Sequence, residues 1–414
     1  MERYSAPMDP TAGPGGTRGD RVRKPGHRLL LATAATLGAL LVAEWLLDRF
    51  YPVGLRTYRV DAALLHDTIP GSRRLQRMPG WAGGGHHLVR FNDVGCRGPE
   101  LEAPGSRRRL VVIGDSLVLA ANVSEESTFP AQLEARLGGE VEVVNAGLES
   151  YGPDQALLRL ERDFDRLDPD AVLLVLCATN DFGDLLRNKL FRLEGGQLVR
   201  CQPALSDEAR RPFEQYAREA RRPALVRALR AWRSSLGAPA EVRPAPGSGS
   251  GLVQEYLEQA AWEYKNTFEE RDSTVYNLQQ DAYDADVAVT PDAASSRYKQ
   301  ALLRAVLQRL VQRCEARRTP VLAVVVPSAV DLDPGFFVRV DPLAHPGYRP
   351  ENLGERMAAS ASGAGLAVLD LFQVMAGGGA GDLFVGGDDF HWNESGIELA
   401  AEATAPWLSG ELGW

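Results

Sequence analysis

The chain has 414 residues, 44% of them apolar and 24% charged, with a formal net charge of −9. That is ample for one large core, or for a core with a sizeable insertion. No basic excess exists to neutralise phosphates, which argues against nucleic acid as a partner. The cysteines Cys96, Cys177, Cys201 and Cys314 show no paired metal-ligand spacing. Cys177 falls in an apolar run and Cys314 on an apolar helix face, so both read as buried thiols. A Cys96–Cys201 disulfide is open to an exported domain.

Residues 1–28 are rich in Gly, Pro and Arg and read as a disordered tail. Residues 29–47 are then almost wholly apolar, broken by Thr33, Thr36 and Glu44. As a helix this stretch reaches about 28 Å, close to the hydrocarbon thickness of a bilayer. Arg21, Arg23, Lys24 and Arg28 precede it, and the positive-inside rule assigns that side to the cytoplasm. The remainder is then expected across the membrane. An uncleaved single-pass anchor is favoured, because no small-x-small site follows and Trp45 stands where an interfacial residue would. A cleaved signal peptide and a buried core helix are the other readings. Residues 48–104 form a loop-rich linker with one short strand at 88–91. The adjacent His86 and His87 read as solvated loop residues rather than a metal pair.

From residue 105 the pattern changes. Apolar, β-branched runs predict parallel strands at 109–113, 141–145, 171–177, 320–326 and 366–370. Helical spacing predicts helices at 129–137, after Pro153, around Leu302, Leu303, Val306 and Leu310, at 351–362 and at 395–408. Strands alternating with helices imply a parallel sheet with right-handed crossovers. The alternation stops over 183–296, which reads as an insertion between core segments 105–182 and 297–414. It holds a hairpin at 192–199 turning on Gly195-Gly196, a basic helical stretch at 206–236, a Pro/Gly/Ser linker at 237–251 and an amphipathic stretch at 252–268. The arginines of 206–236 read first as a solvated face, with an acidic polymer or lipid headgroups as the sharper alternative. Because the insertion leaves the core just after Asn180, it is expected to cap the pocket.

The first strand ends on Gly114-Asp115-Ser116, placing a hydroxyl at a strand's carboxyl end, where open α/β sheets bind ligands. A helix starting there aims N–H groups at any anion that forms. Further along stand 143–152, containing Asn145, Gly147 and Ser150, then Ala178-Thr179-Asn180-Asp181, and finally Asp388-Asp389-Phe390-His391-Trp392-Asn393. In this order the four blocks resemble those of the SGNH, or GDSL, hydrolases, which are serine esterases and lipases. The resemblance covers 105–182 and 297–410. It implies an α/β, flavodoxin-like three-layer sandwich of about five parallel strands, with the large, mostly helical insertion and the N-terminal transmembrane helix added to it.

The resemblance also implies roles. Ser116 is the expected nucleophile and His391 the base. The orienting aspartate usually stands three residues before the histidine, at Asp388, whereas subgroups ending in His-Trp use Asp389. Asp388 is the first expectation of the pair. Asn180 matches the oxyanion asparagine, and the Ser116 N–H is a second donor. The family's third donor is a glycine that falls here on Ser150, a departure; Gly147 and Gly152 lie nearby. Asp115 and Asp181 read as turn-fixing residues. No metal or organic cofactor is implied, and the substrate is an acyl ester, whether a small molecule, a lipid or an acylated glycan. Two alternatives stand beside hydrolysis. One is an O-acetyltransferase acting on an envelope polysaccharide. The other is a non-catalytic carbohydrate- or lipid-binding scaffold, which Ser150 favours and Ser116, Asn180 and His391 disfavour.

Overall fold

In a computed structural model, which describes residues 25–201, 205, 207–236, 241–269, 282–379 and 382–414, the chain opens on helix α1 (Pro25–Phe50). It is long and apolar enough to cross a membrane, with an apolar window of mean hydropathy 1.9, none of it buried. Leu30, Leu37, Leu41 and Trp45 are all exposed. A core helix would bury them, so that reading falls. The tail ahead of Pro25 lies outside the described residues.

Two antiparallel hairpins follow, β1 (Tyr58–Asp61) with β2 (Leu65–Thr68), and β3 (Arg73–Arg77) with β4 (His86–Arg90). Tyr58, Leu65, Val89 and Phe91 join the main core, so the expected linker is a built platform. Beyond it run β5 (Arg108–Ile113), α2 (Ser116–Leu119), α3 (Phe129–Leu137), β6 (Val141–Asn145), α4 (Pro153–Leu167), β7 (Ala171–Cys177) and α5 (Asp181–Asn188). The insertion comprises a hairpin of β8 (Phe191–Glu194) and β9 (Gln197–Arg200), then α6 (Asp207–Ala220), α7 (Ala224–Leu236), α8 (Leu252–Glu269) and the short α9 (Ala285–Val289). Most of the expected 237–251 linker is described; 237–240 is not. The core resumes with α10 (Ala294–Glu315), β10 (Val321–Val326), α11 (Ala329–Leu332), α12 (Asn352–Ser362), β11 (Ala367–Asp370) and α13 (Phe372–Gly377). A hairpin of β12 (Phe384–Gly386) and β13 (Asp389–Trp392) precedes the closing helix α14 (Glu394–Leu412).

Five strands form one sheet in the order β6-β5-β7-β10-β11, every pair parallel. Numbered among themselves they run 2-1-3-4-5, the flavodoxin-like doubly wound order. All of Val111, Val112, Leu173, Leu174, Val324 and Val325 are buried, as strands covered on both faces require. On the helical layers, α3 packs with α14, and α10 packs between α4 and α12. The strand order reverses between β5 and β7, and the chain leaves those two strands at Ser116 and Asn180. The topology therefore puts both residues at its ligand-binding crevice.

Buried ion pairs bolt the insertion to the core. Arg187 of α5 meets Asp184 and, at 3.2 Å, Glu263 of α8. Lys299 of α10 lies 2.8 Å from both Asp284 and Asp286. Charges this deep are tolerated only when paired. Cys96 and Cys201 are free thiols, so the possible disulfide does not form.

The turn under Ser116 has little room. A Cβ on Gly114 would meet Val118 Cγ2 at 2.7 Å and the Val175 carbonyl oxygen at 2.8 Å. Gly114→Ala is therefore expected to destabilise the fold by about 1–3 kcal/mol, read as a lower urea midpoint at unchanged slope.

Candidate active site

Ser116 opens α2, whose N-cap is Asp115; the Asp115 carboxylate accepts the Leu117 N–H at 2.8 Å. The Ser116 Oγ stands 2.8 Å from His391 Nε2, and His391 Nδ1 stands 2.6 Å from Asp389 Oδ1. The same carboxylate oxygen accepts the His391 backbone N–H at 3.0 Å. A carboxylate accepts and does not donate, so Nδ1 carries the proton and Nε2 turns its lone pair to the hydroxyl. Burial raises the Asp389 carboxyl pKa, but electrostatic attraction to the His391 ring and both hydrogen bonds from His391 outweigh it and hold the group below its ordinary value. The three side chains form one hydrogen-bonded row.

Of the expected pair, the structure brings Asp389 rather than Asp388 to His391 Nδ1. Residues 389–392 form a strand, in which side chains alternate, so Asp389 and His391 point to one face. Asp388 precedes the strand, and with Asp389, Phe390 and His391 it lines the adjoining cavity.

Sequence reading also missed what positions His391. Trp392 is fully buried, with its ring 5.2 Å from that of Phe129 and its indole N–H donating to the Leu117 carbonyl at 3.0 Å. Asn122 Nδ2 donates to the Trp392 carbonyl at 2.8 Å. Asn393 caps α14 through the Gly396 N–H at 3.0 Å and donates to the Phe384 carbonyl at 2.9 Å. Phe390 stacks on the imidazole, centroids 4.8 Å apart and planes 14° apart. The His-Trp dipeptide and the Asn three residues before Gly396 were the available signals.

The expected anion donors are placed differently from one another. Among the described residues, neither the Ser116 nor the Ser150 N–H has a protein acceptor. Ser150 has φ +59°, so it holds the left-handed conformation a glycine would take more cheaply. Its neighbours pin it there. Glu149 receives the Tyr58 hydroxyl at 2.7 Å and the Arg74 guanidinium at 2.8 Å, while His66 Nε2 lies 2.9 Å from the Glu149 carbonyl. Burial pushes His66 down to about 4, which keeps the ring neutral. The Gly147 N–H goes to Asn145 Oδ1 at 3.2 Å. A Cβ there would strike Val118 and come within 2.6 Å of Leu119 N, so this glycine lets the 146–152 loop pack on α2. Asn180 is buried, its amide donating to Asp184 Oδ2 at 3.2 Å. Asp181 fixes the turn below by accepting the Cys177 N–H at 2.7 Å, and burial with the nearby Asp115 and Asp184 charges raises its pKa.

A cavity of about 370 Å³ is walled by Tyr256, Tyr283, Phe336, Phe337 and Phe390 and also lined by Asp388, Asp389 and His391. Tyr256 and Tyr283 come from the insertion. A larger cavity of about 530 Å³ near Arg97 and Glu134 contains no member of the row. Among the described residues no His, Cys, Asp or Glu group is placed to hold a metal ion. Such a site offers an activated hydroxyl next to an aromatic-walled space, the parts needed for attack on an acyl carbonyl.

No family model and no curated protein matches the chain. Among solved structures it is similar to the lipase/acylhydrolase from Enterococcus faecalis, at 14% identity and TM-score 0.34, covering 73% of this chain and 96% of that one. It is likewise similar to the psychrotrophic esterase EstA from Pseudoalteromonas sp., at 12% and 0.35, covering 74% and 100%. A third is Est24, a carbohydrate acetylesterase from Sinorhizobium meliloti, at 12% and 0.30, again covering 74% and 100%. At these scores the reading of the site rests on its own geometry.

The cavity wall carries a pH signature. Asp331 accepts the Tyr283 hydroxyl at 2.6 Å and the Tyr348 hydroxyl at 3.1 Å, and burial pushes its carboxyl up to about 7. A raised carboxyl favours the fold while protonated, and that contribution drains away as pH climbs from its unfolded value of about 4. Asp331→Asn keeps the acceptor without the charge. Its melting temperature is expected to gain on the native protein as pH rises across that window, then to keep a constant lead above pH 7.

Proposed function

We propose that this chain is a serine hydrolase that cleaves O-acyl esters through an acyl-Ser116 intermediate. The observation that carries the reading is the unbroken row from the Ser116 hydroxyl through His391 to Asp389. His391 Nε2 takes the hydroxyl proton as Oγ attacks the acyl carbonyl, and Asp389 holds the tautomer and steadies the imidazolium. The Ser116 N–H at the start of α2 and the Ser150 N–H are the donors proposed for the oxyanion, with the Asn180 amide third. His391 then returns the proton to the departing alkoxide. Water enters and is deprotonated by the same nitrogen, and the acid leaves with Ser116 restored. The aromatic cavity beside His391 receives the bulkier part of the ester, so the insertion acts as a cap. A binding scaffold has no use for a histidine held in one tautomer against a serine, which counts against that alternative.

Ser116→Ala and His391→Ala are each expected to lower ester turnover by roughly 10³-fold or more with little change in melting temperature. Asp389→Asn is expected to lose a comparable factor, and Asp388→Asn to stay within a few-fold of native. Turnover of a nitrophenyl acetate by the four purified variants checks this, and equal losses at 388 and 389 would defeat the assignment of Asp389.

We further propose that α1 is a single-pass anchor, with the chain from Tyr51 onward outside the cytoplasm. A reporter fused after Trp414 is expected to be active only in an exported compartment, with the intact chain in the membrane fraction; recovery of intact chain from cytosol refutes the anchor.

A further inference from the structure

α7 carries Leu225, Leu229, Trp232 and Leu236 at helical spacing, so the four form one stripe. Leu229, Trp232 and Leu236 are 61%, 59% and 66% exposed, which is unusual for large apolar groups on a packed domain. The other face is occupied: Ala224 and Arg227 are buried, and α7 packs against α1.

The manner of that packing gives the stripe a location. Glu44, the one carboxylate inside the apolar stretch of α1, accepts the N–H groups of Ala224 at 2.5 Å and Leu225 at 3.0 Å. It thereby caps α7, and its charge finds the partners a carboxylate in such a stretch needs. Arg227 adds a 2.9 Å contact to Asp48 and a 3.1 Å hydrogen bond to the Val53 carbonyl. α7 is thus bolted to the last turns of α1, next to exposed Trp45 and Phe50, aromatic residues of the kind that sit at headgroup level. Arg230 and Arg233 flank the stripe. Arg230 pairs with Glu219 at 2.8 Å, and Arg233 makes no ion pair among the described residues. An apolar stripe with arginines at its margin, held at headgroup depth, has the composition of an interfacial helix.

We propose that α7 lies in the outer headgroup region of the bilayer crossed by α1, burying Leu229, Trp232 and Leu236 among the acyl chains and turning Arg233 to anionic headgroups. This rests on the reading of α1 as a spanning anchor. The insertion thereby gives the catalytic domain a second hold on the membrane.

The test uses the full chain, one copy per lipid nanodisc, in a Cys201→Ser background. An environment-sensitive fluorophore is placed on Leu229→Cys, on Leu41→Cys within α1, or on Leu343→Cys, which is exposed on the core. Quenching by lipids spin-labelled near the headgroup is expected to be several-fold stronger at 229 than at 343. Lipids labelled deep in the chain should quench at 41. Quenching at 41 with none at 229 overturns the interfacial helix and leaves the anchor standing. No quenching at 41 removes the anchor and the proposal with it. Shielding of 229 only in discs holding two copies means a second chain covers the stripe, which also overturns the proposal. Replacing phosphatidylglycerol by phosphatidylcholine should weaken quenching at 229, and Arg233→Gln should abolish that lipid dependence. Equal quenching in both lipids would refute the anionic recognition.

Discussion

The hydrogen bond from the Trp392 indole to the Leu117 carbonyl, 3.0 Å long, governs how the distant halves of the site meet. Ser116 and His391 are 275 residues apart in sequence, and their side chains must close to 2.8 Å. A strand delivers one and a hairpin the other, and no backbone ladder joins the two. Trp392 supplies the join. Its ring fills space beside Phe129, and its N–H finds an acceptor within the short helix that Ser116 opens. A buried indole without such a partner would pay for its desolvation, so packing and hydrogen bonding here select the same geometry. The adjacent His391 is positioned as a consequence.

Strain at Ser150 follows a related logic. A left-handed serine costs about 1 kcal/mol or more unless its surroundings enforce it. The enforcing groups come from the N-terminal platform, where Tyr58, His66 and Arg74 all hold Glu149, one residue earlier. Tyr151 on the other side donates to the His66 carbonyl at 2.9 Å. The platform is thus part of what shapes the loop near Ser116, although none of its residues belongs to the hydrogen-bonded row.

Much of the sheet was legible in the sequence because its strands are uninterrupted apolar runs; 141–145 and 171–177 coincide with β6 and β7 to the residue. The hairpin at 192–199 was legible too, as β8 and β9, but the two N-terminal hairpins were not, beyond the short strand at 88–91. β2 reads Leu-His-Asp-Thr and β4 begins on two histidines, so neither is the apolar, β-branched run that marks a strand. All four β2 residues are buried by tertiary contacts that no local pattern announces, whereas β4 buries only Val89. The same blindness explains the choice between Asp388 and Asp389. Both lie close to His391 in sequence, and only a strand at 389–392, with its period of two, separates them. Ser150 shows the opposite case: the departure from glycine was visible, while its backbone conformation depended on partners some ninety residues away.

The insertion divides into two parts with different mechanical ties. Its first helices lean on the N-terminal region: α7 on α1, and α6 through Tyr216, whose hydroxyl receives Arg56 at 2.9 Å. Its later part is welded to the core near Asn180. There the Glu263–Arg187–Asp184 chain ends on the Asn180 amide, and Gly183 donates its N–H to Asp284 at 3.0 Å. Removing one member of such a network leaves a buried charge unpaired, typically a loss of 3–5 kcal/mol. Tyr256 lies on the helix that carries Glu263, and Tyr283 adjoins Asp284. The aromatic wall therefore cannot swing away from His391 without breaking those pairs.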